Sequence, residues 1–153
     1  MNVRFVDQPA FSVMGMCYHG KNQNGELGIL WGEFNQRAGE IASLRTGPAY
    51  GVCSMPSGLS EGEFEYVAGF EVADSAVAPE GMVVRRIPAA RHAVFEHRGT
   101  VQTLGATYQR IYQTWLPQSG LQPLDAGLDM EVYPDEWLPD DPQALMYIHV
   151  PLK

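Results

Sequence analysis

The sequence has little of several features that mark common protein classes. It contains no run of about 18 apolar residues, the length that crosses a bilayer, so no membrane span is expected. Its first residues lack a basic segment followed by an apolar stretch, so no signal peptide is visible and a cytoplasmic location is predicted. The two cysteines, Cys17 and Cys53, have neither CxxC nor zinc-ligand spacing and are expected to be free, reduced and buried.

Basic residues are also scarce. Lys and Arg number 10 against 18 Asp and Glu, which gives a net charge of -8. Nucleic acids and anionic membrane surfaces both require a basic protein surface, so direct binding to either is not expected. The long-range field instead favours cationic or neutral ligands.

Motifs for metal, nucleotide and nucleophile chemistry are missing. The four histidines, His19, His92, His97 and His149, form no HxH or HExxH pattern and have no cysteine partners at zinc-ligand spacing. No GxSxG elbow, P-loop or GxGxxG is present. We therefore expect no metal and no cofactor.

What the chain does contain is a regular alternation of strand and helix patterns within 153 residues, about one domain. Apolar stripes at helical spacing predict helices over 26–41 and 101–116, the second ending at Pro117. Gly28 and Gly32 lie in the first helix. Either the helix simply tolerates them, or they allow it to approach a neighbouring element closely. Strand patterns cover 10–18, 49–55, 64–72, 82–87, 91–97, 128–133 and 144–152.

The two halves of the chain match each other weakly. Pro9-Ala10 and Gly20 recur as Pro88-Ala89 and Gly99 at an offset of 79, and residues 50–53 correspond to 130–133 at an offset of 80. This repetition predicts an α+β fold made by tandem duplication of a strand–strand–helix–strand–strand module. We expect one domain over 1–153, with halves of about 1–75 and 82–153. Each half would pack a helix on a small sheet, and a pseudo-twofold would leave a central cleft.

Aromatic residues with polar edges are abundant, with 3 Trp and 7 Tyr against 6 Phe. Any single aromatic on a helix stripe is explained by core packing. A cleft lined by Tyr and Trp would also satisfy their polar edges, and it would suit flat or cationic ligands through stacking and cation–π contacts.

Glu131 lies inside the apolar strand LDMEVY, on the face opposite Leu128, Met130 and Val132. It is either a solvent-facing residue on a half-exposed sheet or a carboxylate at the floor of the cleft. In the cleft it could hold a cation or act as a general acid or base. Gly51 occupies the equivalent position in the first half, so we expect one acid at the centre, which does not support a two-carboxylate glycosidase mechanism.

Five segments within 47–153 stand out by their order and spacing: FEYVAGFEV, GMVVRRIPAARHAVFEHRG, YQRIYQTWLPQSG, MEVYPDEW and IHVPLK. Together they resemble the gyrase-inhibitory-protein-like (GyrI-like) family, the effector-binding domain also attached to AraC- and MerR-type bacterial regulators. The resemblance implies two strand–helix–strand–strand modules around a ligand cleft whose acid matches Glu131. It places pocket aromatics at Tyr66, Tyr108, Trp115 and Tyr147, and less directly at Trp31 and Tyr50.

The chain has no helix-turn-helix segment, so it is expected to be a stand-alone ligand-binding domain. The first interpretation is a sensor or sequestering protein for lipophilic aromatic compounds, either cationic or neutral. A second is a hydrolase of strained electrophiles in which Glu131 activates water. A third is an inhibitor that binds a gyrase-like protein through an outer surface, and a regulator is a further possible protein partner.

Overall fold

A computed structural model describes residues 1–124 and 127–153 of the chain. It contains eight β-strands and two main helical segments. The strands are β1 (Val3–Gln8), β2 (Phe11–Gly20), β3 (Arg45–Ser54), β4 (Phe64–Val72), β5 (Val83–Ile87), β6 (Ala90–Arg98), β7 (Asp129–Tyr133) and β8 (Leu145–Leu152). The helices are α1 (Glu26–Arg37) and α2 (Leu104–Arg110), and α2 continues through a π-helical turn, Ile111–Trp115, into a short last segment, α3 (Leu116–Ser119).

All eight strands form one antiparallel sheet in the order β1-β6-β8-β7-β3-β4-β2-β5. Strands β1 to β4 of the first half correspond to β5 to β8 of the second. When each strand is replaced by its counterpart, the same order is obtained in reverse, as expected if a twofold axis relates the halves. The α+β class and the duplicated order of elements are therefore confirmed. The expectation of two small separate sheets was wrong, because β1 pairs with β6 and β5 pairs with β2. Each half gives its first strand to the other half as an edge strand, and the pairing of β3 with β7 at the centre joins the two groups of four strands into one sheet.

The hydrogen-bond register of the sheet preserves the offsets found in the sequence. Ser12 on β2 pairs with Val72 on β4. Arg91, 79 positions after Ser12, pairs with Leu152, 80 positions after Val72. The same two offsets thus relate the strands in space, which supports duplication independently of residue similarity.

The helices cover one face of the sheet, one helix over each half. Leu30 and Phe34 of α1 pack with Met14 and Ala68, on β2 and β4. The second helix packs on β6 and β8, where Ile111 is fully buried. The centre of the sheet, where β3 and β7 pair, lies between the two helices.

The second helix does not stop at Pro117 as predicted. It continues to Ser119 and ends at Gly120, whose φ of 73° gives a left-handed cap. Pro117 is tolerated because it lies in the first turn of α3, directly after the π-helical turn. There the missing N–H of proline removes little from the hydrogen-bond ladder.

A second apolar core lies on the other face of the sheet. Its buried members are Phe11, Val13, Tyr50, Val52, Val67, Ile87, Leu128, Met130 and Val132. Because successive strand residues alternate between faces, these side chains point away from the helices. Across the described residues, no helix is both long and apolar enough to cross a membrane.

Candidate functional site

Glu131 lies on β7 at the centre of the sheet and is the acceptor of a tyrosine network. Its Oε1 accepts hydrogen bonds from the hydroxyls of Tyr66 and Tyr133, each at 2.7 Å. Its Oε2 accepts from the hydroxyl of Tyr108 at 2.9 Å. The Trp31 indole N–H donates in turn to the Tyr66 hydroxyl at 3.0 Å. Strands from both halves and both main helices therefore meet at one carboxylate that is 8% exposed.

Burial keeps the three phenols of this network protonated. Desolvation, followed by the charge of Glu131, holds the pKa of Tyr66, Tyr108 and Tyr133 well above the usual value. The hydroxyls therefore act as donors, and the carboxylate is their acceptor. This arrangement provides Glu131 with hydrogen bonds that water would otherwise supply.

A second acid lies beside the first, contrary to the expectation of a single central carboxylate. Asp129 is two positions before Glu131 on β7, so both side chains lie on the same face. It is 7% exposed and accepts a hydrogen bond from the Tyr112 hydroxyl at 2.8 Å. Burial raises the pKa of Asp129 to about 7. The site can thus change its charge near neutral pH.

A cavity of about 560 Å³ opens next to the tyrosine network. Gly28, Trp31, Gly32 and Asn35 line it from one face of α1. The lining is completed by Arg45, Ala49, Val101, Tyr133, Pro134, Asp135, Trp137 and Pro139. Of the two interpretations of these glycines, the close approach to a neighbour does not hold, because a Cβ on either would meet nothing within 4 Å. The glycines instead leave room in the cavity.

Tyr133 and Trp31 connect the cavity to Glu131. Both line the cavity, and their ring centroids lie 5.3 Å apart in an edge-to-face arrangement. Tyr133 donates directly to Glu131, whereas Trp31 reaches it through Tyr66. Trp137 also packs against Tyr133, with centroids 4.7 Å apart. An aromatic wall therefore separates the cavity from a buried carboxylate.

Of the six aromatics predicted for the site, the structure brings Tyr66, Tyr108 and Trp31 to Glu131. Tyr50 and Tyr147 lie on the opposite face of the sheet. Tyr50 precedes Gly51, the residue paired with Glu131, and Tyr147 precedes Ile148, which also pairs with Glu131. Strand alternation turns both tyrosines away, so their placement in the cleft was wrong.

Trp115 also lies outside the network. Its ring packs against Phe95 at 4.9 Å and against Phe5 at 6.2 Å, in the core beneath the second helix. Trp115 follows Tyr108 by seven residues, but the π-helical turn between them changes the helical periodicity. Its prediction as a pocket aromatic was therefore wrong, and it belongs to the apolar core.

The sequence interpretation missed Asp129, Tyr133, Tyr112 and Trp137. The alternation of β7 carried a signal for the first two, because they share the face of Glu131. Tyr112 is one helical turn after Tyr108, so the same face of the second helix indicated it. Trp137 lies beyond β7, outside any periodic element. Over 1–124 and 127–153, the His, Cys, Asp and Glu side chains form no group of three that could hold a metal.

The chain is similar to known proteins over its whole length. A sequence model of the GyrI-like small molecule binding domain matches residues 1–153. The transcriptional regulator BrlR of Pseudomonas aeruginosa is 40% identical over 154 residues. That match covers 99% of this chain and 56% of BrlR, so the chain spans a little over half of the regulator.

Two solved structures share the fold at low sequence identity. SAV2435 bound to tetraphenylphosphonium superposes with a TM-score of 0.77 at 17% identity, covering 100% of this chain and 94% of that protein. EcmrR in its DNA complex superposes with a TM-score of 0.72 at 13% identity, covering 99% of this chain and 57% of EcmrR. Both likenesses extend over essentially the whole sheet and its helices.

Proposed function

The chain belongs to the GyrI-like small-molecule-binding family, and from this premise we propose that it binds lipophilic, cationic aromatic compounds in the cavity beside Glu131. One observation carries the proposal: Tyr133 forms part of the cavity wall and also donates a hydrogen bond to the buried carboxylate. A cation against this wall would interact with the electron-rich ring faces and with the negative charge behind them.

The shape and charge of the molecule support the same ligand class. The cavity volume of about 560 Å³ is in the range that accommodates drug-sized compounds, and three of its lining side chains are aromatic. The net charge of -8 raises the local concentration of cations. The fold relative SAV2435 is bound to tetraphenylphosphonium, a lipophilic aromatic cation.

The biological role we propose is sensing or sequestration in the cytoplasm. BrlR is a transcriptional regulator, and EcmrR is found in a complex with DNA. A domain of this kind responds to a ligand by changing its own conformational equilibrium. For this chain, the strands and helices that meet at Glu131 provide a route from the ligand to the rest of the fold.

The test measures binding of tetraphenylphosphonium by calorimetry in the wild type and in Glu131→Gln. We expect affinity to fall about tenfold to a hundredfold. The Glu131 charge acts on the cation through the aromatic wall, and at an effective dielectric constant of about 20 a unit charge about 6–10 Å away contributes roughly 1.5–3 kcal/mol. The neutral compound triphenylphosphine oxide should change by less than threefold, about 0.6 kcal/mol. Glu33→Gln, an exposed substitution on α1, is the matched charge control. Unchanged tetraphenylphosphonium affinity in Glu131→Gln would contradict the proposal.

Hydrolysis of electrophilic compounds at Glu131 is the alternative with less support. Phenol hydroxyls already occupy three of the roughly four acceptor sites of the Glu131 carboxylate, which leaves one site, on Oε2, for a catalytic water. Mass analysis of electrophilic compounds incubated with the protein separates the two functions. Intact compound supports binding alone, whereas turnover that disappears in Glu131→Gln would establish a hydrolase.

Inhibition of a gyrase-like protein is the third function. It would act through an outer surface, so substitutions in the cavity would not affect it. A supercoiling assay with the purified protein tests this directly, and inhibition that persists in Glu131→Gln would favour the protein-binding role.

A further inference from the structure

Arg45 is held rigidly at the outer end of the cavity. It begins β3, and its Nε donates to the carbonyl of Gly47 at 2.6 Å. Its guanidinium carbon lies 4.3 Å from the ring centroid of Phe70. The backbone contact and the aromatic stacking orient the guanidinium group, so little conformational entropy remains to be lost when an anion binds.

The present partner of this guanidinium is weakly held. Arg45 Nη2 lies 2.5 Å from Oδ1 of Asp135, but the side chain of Asp135 is 79% exposed. An exposed ion pair contributes only about 0–1 kcal/mol to stability. Another carboxylate could therefore replace Asp135 at small cost. Asp135 can return to water, where its charge is fully solvated.

Arg45 is also placed where a ligand in the cavity would reach it. Arg45 and Asp135 line the 560 Å³ cavity and, in addition, an adjoining open groove of about 440 Å³. Arg45 thus contributes to the lining of both spaces. Three positions of β3 connect the carboxylate to this arginine. Gly51 pairs with Glu131, Ala49 lines the cavity, and Arg45 is the first residue of the strand.

Two other side chains of the cavity, Trp137 and Asn35, carry hydrogen-bond donors. The indole Nε1 of Trp137 is buried and has no hydrogen-bond acceptor among the described residues. The side chain of Asn35 lines the same cavity and carries an amide N–H₂ group. A buried donor without an acceptor is costly, and an acceptor atom on a ligand would remove that cost.

We propose that Arg45 binds an acidic group of the ligand, so that the preferred ligands are zwitterionic aromatic compounds that combine a cationic ring system with a carboxylate. This inference rests on the proposed function and refines its ligand class. The cationic ring system occupies the cavity against Tyr133, and the carboxylate replaces Asp135 on Arg45.

The test uses two dyes that differ only at the carboxyl group. Rhodamine 6G is an ethyl ester with a cationic ring system, and rhodamine 19 is the corresponding free acid, a zwitterion at neutral pH. We expect the wild type to bind rhodamine 19 about tenfold more tightly, as one charge-assisted hydrogen bond allows. In Arg45→Gln this ratio should fall to near one. In Arg98→Gln, an exposed arginine outside the cavity, it should stay at the wild-type value.

Asp135→Asn provides an independent variant, because it removes the competitor of the ligand carboxylate without changing Arg45. Its ratio of rhodamine 19 to rhodamine 6G affinity should exceed that of the wild type. If both dyes bind the wild type with equal affinity, or the ratio is unchanged in Arg45→Gln, the zwitterion preference is overturned while the proposed function stands. If neither dye binds, this inference is overturned, and the calorimetry with tetraphenylphosphonium decides the proposed function separately.

Discussion

Gly51 and Glu131 are direct cross-strand partners at the centre of the sheet, and they are also equivalent positions in the two halves of the chain. Because these two equivalent residues pair with each other, the pseudo-twofold axis that relates the halves passes between them. A Cβ on Gly51 would lie 1.9 Å from the Tyr66 hydroxyl oxygen and 2.9 Å from Oε1 of Glu131. The glycine therefore provides the space in which the tyrosine–carboxylate contact forms.

Gly51→Ala should disrupt this contact, because Tyr66 is held by both Trp31 and Glu131 and cannot move without losing a hydrogen bond. We expect the free energy of unfolding to fall by about 1–3 kcal/mol, as for other overpacked sites. Denaturant unfolding measures the change. Gly105→Ala is the control, because its Cβ meets nothing within 4 Å and helix propensity should make it up to about 1 kcal/mol more stable. Wild-type stability in Gly51→Ala would show that Tyr66 can relax freely.

Gly32→Leu should fill the cavity without damaging the fold. The glycine lines the cavity and has open space around it, so the new side chain occupies the volume that the ligand would use. Tetraphenylphosphonium affinity should fall at least tenfold, about 1.4 kcal/mol. The thermal midpoint should be unchanged or higher, since leucine favours helix over glycine by up to about 1 kcal/mol. Gly105→Leu makes the same change on the exposed face of α2 and should bind normally. Normal binding by Gly32→Leu would place the ligand elsewhere.

The histidine pair on the face opposite Glu131 should make the fold acid-sensitive. His92 and His149 approach each other with their Nδ1 atoms 3.1 Å apart. The pKa of His92 is lowered to about 4 by burial, and that of His149 is lowered to about 4 by burial together with the neighbouring His92 and Arg4. Between about pH 6.5 and pH 4 the unfolded chain therefore binds protons that the native state does not, so stability falls as the pH falls. The loss is at most on the order of 3 kcal/mol for each imidazole.

Unfolding of the wild type and of His149→Gln, compared across this pH range, isolates the histidine contribution. The variant should lose less stability on acidification, because one of the two imidazoles is gone. Asp129 contributes the opposite pH dependence of stability, because its raised pKa makes the native state bind the extra proton. This contribution is the same in both proteins, since both contain Asp129. Identical slopes in the two proteins would rule out the pair as the acid-sensitive element.

The 153-residue chain should have no salt-dependent affinity for duplex DNA. Its net charge of -8 opposes the release of counterions that drives such binding. Fluorescence anisotropy with a labelled duplex at low and at physiological salt measures this. Sub-micromolar binding that weakens with salt would require a basic surface that the charge balance does not predict.

The elements of the fold could be predicted from the sequence because their signals are local. The apolar stripe containing Leu30 and Phe34 predicted α1, and alternation predicted most strands. The acid at 131 stood out because it interrupts an apolar strand. Asp129 and Tyr133 could also have been found, since the same alternation places them beside Glu131.

The exchange of β1 and β5 between the halves could not be predicted in this way. Pairing of β1 with β6 joins residues about 90 positions apart, such as Val3 and Phe95, and no local pattern specifies it. The same limit applies to the cavity, which is formed by α1 together with residues near β3 and after β7.

The sequence by itself determined the secondary structure, the duplication, the negative charge and the central position of Glu131. Helix and strand periodicity is a local property, and the charge balance and the repeat at an offset of 79–80 are counted directly along the chain. Only the tertiary structure decided which face of the sheet the helices cover. That choice separates Tyr66 and Tyr133, which donate to Glu131, from Tyr50, which packs on the other side. Strand alternation predicts that neighbouring side chains lie on opposite faces of the sheet. Which of the two faces carries the cavity is determined by long-range strand pairing and helix packing.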